Sequence, residues 1–404
     1  MRHSALYIFI ILFIFNTLQA KSILYVQSPK AKLLSQPQLS ADGPSLSIGE
    51  SLSPMSEQGL FVQVRVQDKT GWVSKLFVSQ LPPSSQIKLG VTSGSTEAVV
   101  ARQRASDFTK TAAARGLSET EKMRVRGGAE LYDFESLRWL ESLPLDDIPI
   151  PSNTSGSSET LQSQSFSNVE VSEDTKTEVK MGRSLAARLL KKYPLLKDTA
   201  LTRYINVVGN RITAVSSRRD LSFKIGVLDT EEENAFACPG GFVFITKGTL
   251  KKVHNESELA GVLGHEIGHI TLFHSGKFAK SNVYLDILAS LLSPSGGETI
   301  NAATSAALDE LETQLFEKGR DASVEWDADE AGVGLAAGAG YAPSGLGNFL
   351  ITLSKSEQAD ALKKTHPDTS TRIAKLIKVE ASVPTKGIPI IKEKWNRYKE
   401  LLNP

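Results

Sequence analysis

The run Asn255-Glu256-Ser257-Glu258-Leu259-Ala260-Gly261-Val262-Leu263-Gly264-His265-Glu266-Ile267-Gly268-His269-Ile270-Thr271-Leu272-Phe273-His274 places two histidines four residues apart, with a glutamate directly after the first. On an α-helix, residues four apart lie about 40° from one another and one turn along, so the His265 and His269 imidazoles can converge on one ion. Glu266 sits about 100° round from His265, where its carboxylate can hold a water beside a metal instead of ligating it. That is the position of the general base in a zinc hydrolase. The helix is supported apart from its histidines. Asn255 followed by Glu258 has capping-box spacing, and Leu259, Val262, Leu263, Ile270 and Phe273 recur at helical intervals along one side to be buried.

Two histidines leave a catalytic zinc site one protein ligand short. The chain has six histidines. His3 lies in a leader-like segment, His254 precedes the helix, and His274 lies about 140° round from His269. The third ligand is therefore His366 or a carboxylate. Glu325-Trp326-Asp327-Ala328-Asp329-Glu330 offers a carboxylate on a second helix. Glu325 can reach the metal while Asp329, one turn on, accepts a hydrogen bond from a liganding histidine, expected to be His265.

With 404 residues, 40% of them hydrophobic, and a net charge of +1, the chain is globular, has room for two or three domains, and shows no charge excess that would suggest nucleic acid. Met1-Arg2-His3-Ser4, the apolar run from Ala5 to Phe15, and Ala20 have the order of a secretory signal segment, too short for the ~20 residues of a spanning helix. Residues 1–20 are therefore expected to be a signal peptide, and the body to be exported without a transmembrane segment. Cys238 is the only cysteine, which excludes an internal disulfide and reads as a buried thiol.

From residue 21 to about 85 the pattern is β. Val62, Val64 and Val66 alternate with Gln63, Arg65 and Gln67, and Asp68-Lys69-Thr70-Gly71 supplies a turn into Trp72-Val73. Tyr25-Val26, Ile48-Gly49-Glu50 and Gly71-Trp72-Val73 resemble bacterial SH3-like domains. That likeness implies a small barrel that either binds cell-wall peptides or envelope proteins or serves as a structural or tethering module. Residues 86–145 read as a helical spacer. Residues 146–176, rich in Ser and Thr, read as a flexible linker too poor in apolar residues for a core. Amphipathic helices follow at Leu185, Leu189 and Leu190 and at Leu201, Tyr204, Ile205, Val208 and Ile212. Leu221, Phe223, Ile225 and Val227 alternate as a strand, and Phe242 to Thr246 is extended. This strand pair runs into the metal helix and places Asn234, Ala235, Phe236 and Ala237 as an edge to which an extended peptide can add. Residues 382–404 read as a C-terminal tail.

Four linked motifs occur in the order and approximate spacing of a known family: Asn234-Ala235-Phe236-Ala237 with Pro239-Gly240-Gly241, then His265 to His269, then Glu325 with Ala328-Asp329, then His366-Pro367 with Arg372-Ile373. Over about residues 178–379 the chain resembles the zinc metallopeptidases that include HtpX, BepA and the CAAX prenyl protease. The resemblance implies Zn2+ held by His265, His269 and Glu325, Glu266 as general base, and His366 and Arg372 lining the site, with His366 able to approach the zinc or polarise the scissile carbonyl. The membrane helices of HtpX and the prenyl protease have no counterpart here, and neither has the helical repeat array of BepA. The expectation is an α+β protein: a mainly helical zinc metallopeptidase domain (177–381) with a small sheet beside the metal helix, preceded by an SH3-like barrel. Its expected function is a periplasmic metalloendopeptidase, soluble or peripherally membrane-associated, that hydrolyses exported or misfolded envelope proteins. Two rivals are a non-catalytic zinc-stabilised binding module and a cell-wall peptide hydrolase.

Overall fold

The computed structural model describes residues 23–84, 132–144, 171–272, 309, 311–317, 321–358, 366–383 and 392–402. The expected signal peptide lies outside the described residues, as do the expected linker up to residue 170 and most of the expected spacer. No helix among the described residues is long and apolar enough to cross a membrane.

The first strands, β1 (Leu24–Val26), β2 (Ser51–Gln58), β3 (Phe61–Val66), β4 (Lys69–Ser74) and β5 (Val78–Ser79), form one curled antiparallel sheet in the order β4-β3-β2-β1-β5. Val62, Val64 and Val66 are buried and Arg65 is exposed, as the alternation predicts. The turn comes two residues earlier than expected. Val66 pairs with Lys69, so Gln67 and Asp68 make the hairpin, with Gln67 in the left-handed region at φ 51°. Lys69 to Gly71 already belong to the strand.

Then follow α1 (Phe134–Ser142), α2 (Glu173–Lys192), α3 (Thr199–Thr213), β6 (Lys224–Leu228), β7 (Ala235–Cys238), β8 (Phe242–Thr246), α4 (Lys247–Lys252), α5 (Glu256–Leu272), α6 (Ala322–Gly338), α7 (Gly345–Leu353), α8 (Thr369–Ala381) and α9 (Lys392–Lys399). Ser172 caps α2 by accepting from the Thr175 amide, so the last residues of the expected linker are helical. Within the expected spacer, α1 is buried through Phe134, Leu137 and Leu140 and tied to α2 by a two-pronged Arg183–Glu141 pair at 2.6 and 2.7 Å.

The second sheet has the order β6-β8-β7, with β6 parallel to β8 and β7 antiparallel at the edge. The alternation read at Ile225 and Val227 suggested one wet face, yet all five residues of β6 are buried. The cause is cover on both sides. Ile225, Val227, Val243 and Ile245 pack with α3 and α5, while Leu228, Phe242 and Phe244 pack with α1 and α2.

At the start of α5, Asn255 Oδ1 accepts from the Glu258 amide at 3.0 Å. Glu258 in turn accepts from Asn255 Nδ2 at 2.9 Å and from the His254 amide at 2.8 Å, a capping box shifted one residue outward. All seventeen residues of α5 are buried, not one side alone. Glycines allow this. A Cβ on Gly264 would stand 2.8 Å from the Gly332 carbonyl oxygen, and one on Gly332 would stand 2.8 Å from the His265 nitrogen. Helices α5 and α6 therefore meet backbone to backbone.

The opposite side of α6 meets the connections of the first sheet, the segment between β1 and β2 and the turn Lys75–Phe77. A Cβ on Gly334 would lie 3.0 Å from both Leu39 and Leu76, and Ser28 Oγ donates to the Val215 carbonyl at 2.5 Å. Leu76, Val208, Leu263 and Val333 belong to one hydrophobic core. The expected C-terminal tail is also built in. Trp395 is fully buried, its Nε1 donates to the Val253 carbonyl at 2.9 Å, and Tyr398 stacks on Tyr204 at 4.0 Å.

Because the sheet and α6 share a core, Leu76→Ala is expected to cost about 2–5 kcal/mol and to lower the single unfolding transition that also releases the metal. Thermal unfolding followed together with zinc release checks this. A separate early transition, with zinc release unmoved, would mean that the sheet folds independently.

Candidate metal centre

His265 and His269, one turn apart on α5, point their Nε2 atoms at each other across 3.2 Å. Glu325, in the first turn of α6, brings Oε2 to 3.5 Å from His265 Nε2 and Oε1 to 3.3 Å from His269 Nε2. All three side chains are buried, and their ligand atoms lie within 4.8 Å of one another. A tetrahedral ion with bonds of about 2.0–2.2 Å requires its ligand atoms to stand roughly 3.3–3.6 Å apart, so the triangle has the size a zinc ion needs. The donor set, two imidazoles and a carboxylate, is that of a catalytic zinc site. Of the two candidates for the third ligand, the carboxylate joins the histidines. His366 stands beside Glu325, with Nε2 3.6 Å from Oε2, but is not part of the mutually close set.

Asp329 lies one turn on from Glu325 and beside His265. Its Oδ1 lies 2.9 Å from His265 Nδ1, which turns His265 Nε2 toward the other ligands. The same carboxylate takes two hydrogen bonds from Arg372, from Nε at 2.9 Å and Nη2 at 2.6 Å, a pairing that sequence reasoning missed. Spacing could not reveal it, because the partners are forty-three residues apart.

The electrostatics follow from burial and these contacts. Burial alone would raise the Asp329 pKa, but the Arg372 charge and hydrogen bonds from His265 and Arg372 hold it well below the usual carboxylate range. Burial likewise opposes charge on Arg372, and Asp329 more than offsets this. In the metal-free protein burial would lower the His265 pKa, yet Asp329 and Glu325 raise it to about 9. Glu325 is penalised by burial and held low by the two histidines.

Glu266, His265, His366 and Arg372 line one open cavity. Asn234 and Ala235, at the start of the edge strand β7, line it too, whereas Phe236 is buried between Tyr193 and Phe316 and Ala237 belongs to the core under α5. The rest of the lining, Glu233, Thr249, Val262, Thr369 and the α7 residues Leu346, Phe349, Leu350 and Leu353, was not anticipated. The α7 signal was present as apolar residues at i, i+3, i+4 and i+7.

Residues 199–380 match the family model of peptidase family M48. A β-barrel assembly-enhancing protease of Yersinia pestis is 30% identical over 213 residues, 49% of this chain and 42% of that protein. The protein of the same name in Escherichia coli strain K12 is 28% identical over 211 residues, with the same coverage. The mitochondrial metalloendopeptidase OMA1 of Schizosaccharomyces pombe is 30% identical over 182 residues, 43% of this chain and 52% of that protein. The matched segment thus spans about half the length of these relatives. Residues 199–380, which match the model of peptidase family M48, thus hold the two histidines and the glutamate of a catalytic type of zinc site.

Asp329→Ala is expected to weaken zinc binding 10–100-fold and to destabilise the fold by about 3–5 kcal/mol, because Arg372 is left buried without its partner. Adding Arg372→Met should recover stability and leave the zinc defect. Urea unfolding and chelator competition separate the two effects. A double variant no more stable than Asp329→Ala would contradict the pairing argument.

Proposed function

We propose that this chain is a zinc metalloendopeptidase that cleaves polypeptides outside the cytoplasm. The observation that carries the reading is that Glu266 lines an open cavity together with His265, one member of the buried His265, His269 and Glu325 set. When bound, zinc acidifies water and polarises a carbonyl. Glu266 takes a proton from the attacking water and returns it to the leaving amine nitrogen as the carbon–nitrogen bond breaks. Arg372, held rigid by Asp329, presents positive charge to a substrate carbonyl, and His366 supports the developing oxyanion from beside Glu325. An extended substrate adds along the start of β7, where Asn234 and Ala235 reach the cavity.

The protease and metalloendopeptidase names of the relatives support this reading. Export rests on the apolar segment from Ala5 to Phe15 behind Arg2, and suggests exported or misfolded envelope proteins of the periplasm as substrates. We read the β1–β5 sheet as SH3-like, a place for envelope or cell-wall partners as well as a support for α6.

Glu266→Gln is expected to keep full zinc and to lose about 10²–10⁴-fold in cleavage of unfolded casein. A zinc-loaded wild type that cleaves neither protein nor peptide would refute the peptidase reading. Glu325→Ala is expected to lose the zinc itself.

His366→Ala is expected to retain zinc while kcat falls by about 10²-fold or more. A rise in cleavage would instead identify His366 as a plug that withdraws. An unchanged rate with unchanged zinc affinity would assign it to the loop alone.

A further inference from the structure

The chemistry at Glu266 explains hydrolysis but not which bond is chosen. One wall of the cavity is apolar and has no part in that chemistry: Val262 on α5, and Leu346, Phe349, Leu350 and Leu353 on α7. The α7 residues follow the i, i+3, i+4, i+7 pattern that lines up one helix face. That face would ordinarily pack on a neighbouring helix, yet here part of it borders open space. Open space lined by apolar groups is poorly held by water and readily taken by an apolar side chain.

The position of this wall relative to the catalytic carboxylate fixes which substrate residue fills it. Val262 and Glu266 are four apart on one helix, so they are surface neighbours one turn from each other. The apolar wall therefore begins beside the group that hands a proton to the leaving amine. The residue that supplies that amine lies directly C-terminal to the broken bond, so a side chain it extended toward α7 would meet this wall.

We propose that the wall formed by Val262, Leu346, Phe349, Leu350 and Leu353 is a specificity subsite that selects a large apolar side chain immediately after the scissile bond. The proposal rests on the peptidase reading and names its selectivity. Glu233 also lines the cavity, with Oε1 engaged by Ser356 Oγ at 2.6 Å and Lys252 Nζ at 3.2 Å and Oε2 without a hydrogen-bond partner. Lys252 already offsets its charge, so the subsite favours Leu, Phe, Met or Ile over Lys or Arg.

The test uses the full zinc-loaded chain and unfolded casein, with every cut mapped by mass spectrometry. The expected result is enrichment of Leu, Phe, Met and Ile directly after the cuts. In a peptide built on the best site, Asp or Gly at that position should lower kcat/KM by about 10–200-fold. Leu353→Glu should raise the Lys-to-Leu ratio at that position at least tenfold. Phe349→Ala is the second variant and should shift preference toward Trp by enlarging the space, so the argument does not depend on one variant folding. Cuts with no apolar enrichment there, or with basic residues enriched in the wild type, would overturn the subsite and leave the peptidase reading standing. A wild type that cuts nothing would overturn both.

Discussion

Everything at the metal centre depends on how closely two helices approach at Gly264 and Gly332. Each glycine leaves room for the other helix's backbone where any side chain would collide, with hypothetical Cβ contacts of 2.8 Å. That contact carries the α6 carboxylates, Glu325 and Asp329, onto the histidines of α5. A zinc site tolerates little error in ligand position, and here the position is set by rigid backbone and not by long, adjustable side chains. The price is stability, since glycine inside a helix costs about 1 kcal/mol relative to alanine.

Packing on the outer side of α6 completes the arrangement. Leu39 in the β1–β2 connection and Leu76 in the turn between β4 and β5 reach α6 at Gly334, so the metal-bearing helix is clasped between α5 and these connections of the first sheet. Arg372 adds an electrostatic tie from α8 to Asp329, and through it to His265. Burial makes this chain of contacts selective. Inside the protein each charge is tolerable only with its partner in place, so a misplaced α6 would leave Asp329 and Arg372 both uncompensated.

What could be read from the sequence was what local spacing encodes. The capping box at Asn255 and Glu258, the histidine pair on one helix, Glu325 with Asp329 one turn on, and the alternation of Val62, Val64 and Val66 all depend on residues within a few positions of one another. What could not be read depends on distant partners. The Asp329–Arg372 pair, the seat of Trp395 beneath Val253, and the cover on both faces of β6 join segments whose proximity no periodicity reports. The helix boundary at Ser172 was hidden by composition, because the polar residues of its first turn look like more linker. The α7 wall was visible as an apolar pattern, but nothing in that pattern says that it borders a cavity.

The central claim is that backbone contact between α5 and α6 sets the zinc affinity. The most direct measurement is the zinc dissociation constant of Gly332→Val by chelator competition, compared with Gly340→Val. A Cβ at Gly340 meets nothing within 4 Å, although its φ of 89° strains any substitution. The account predicts at least a tenfold loss of zinc affinity for Gly332→Val, whose side chain would force α6 away from His265, and a much smaller change for Gly340→Val. Wild-type zinc affinity in a folded Gly332→Val protein would contradict it.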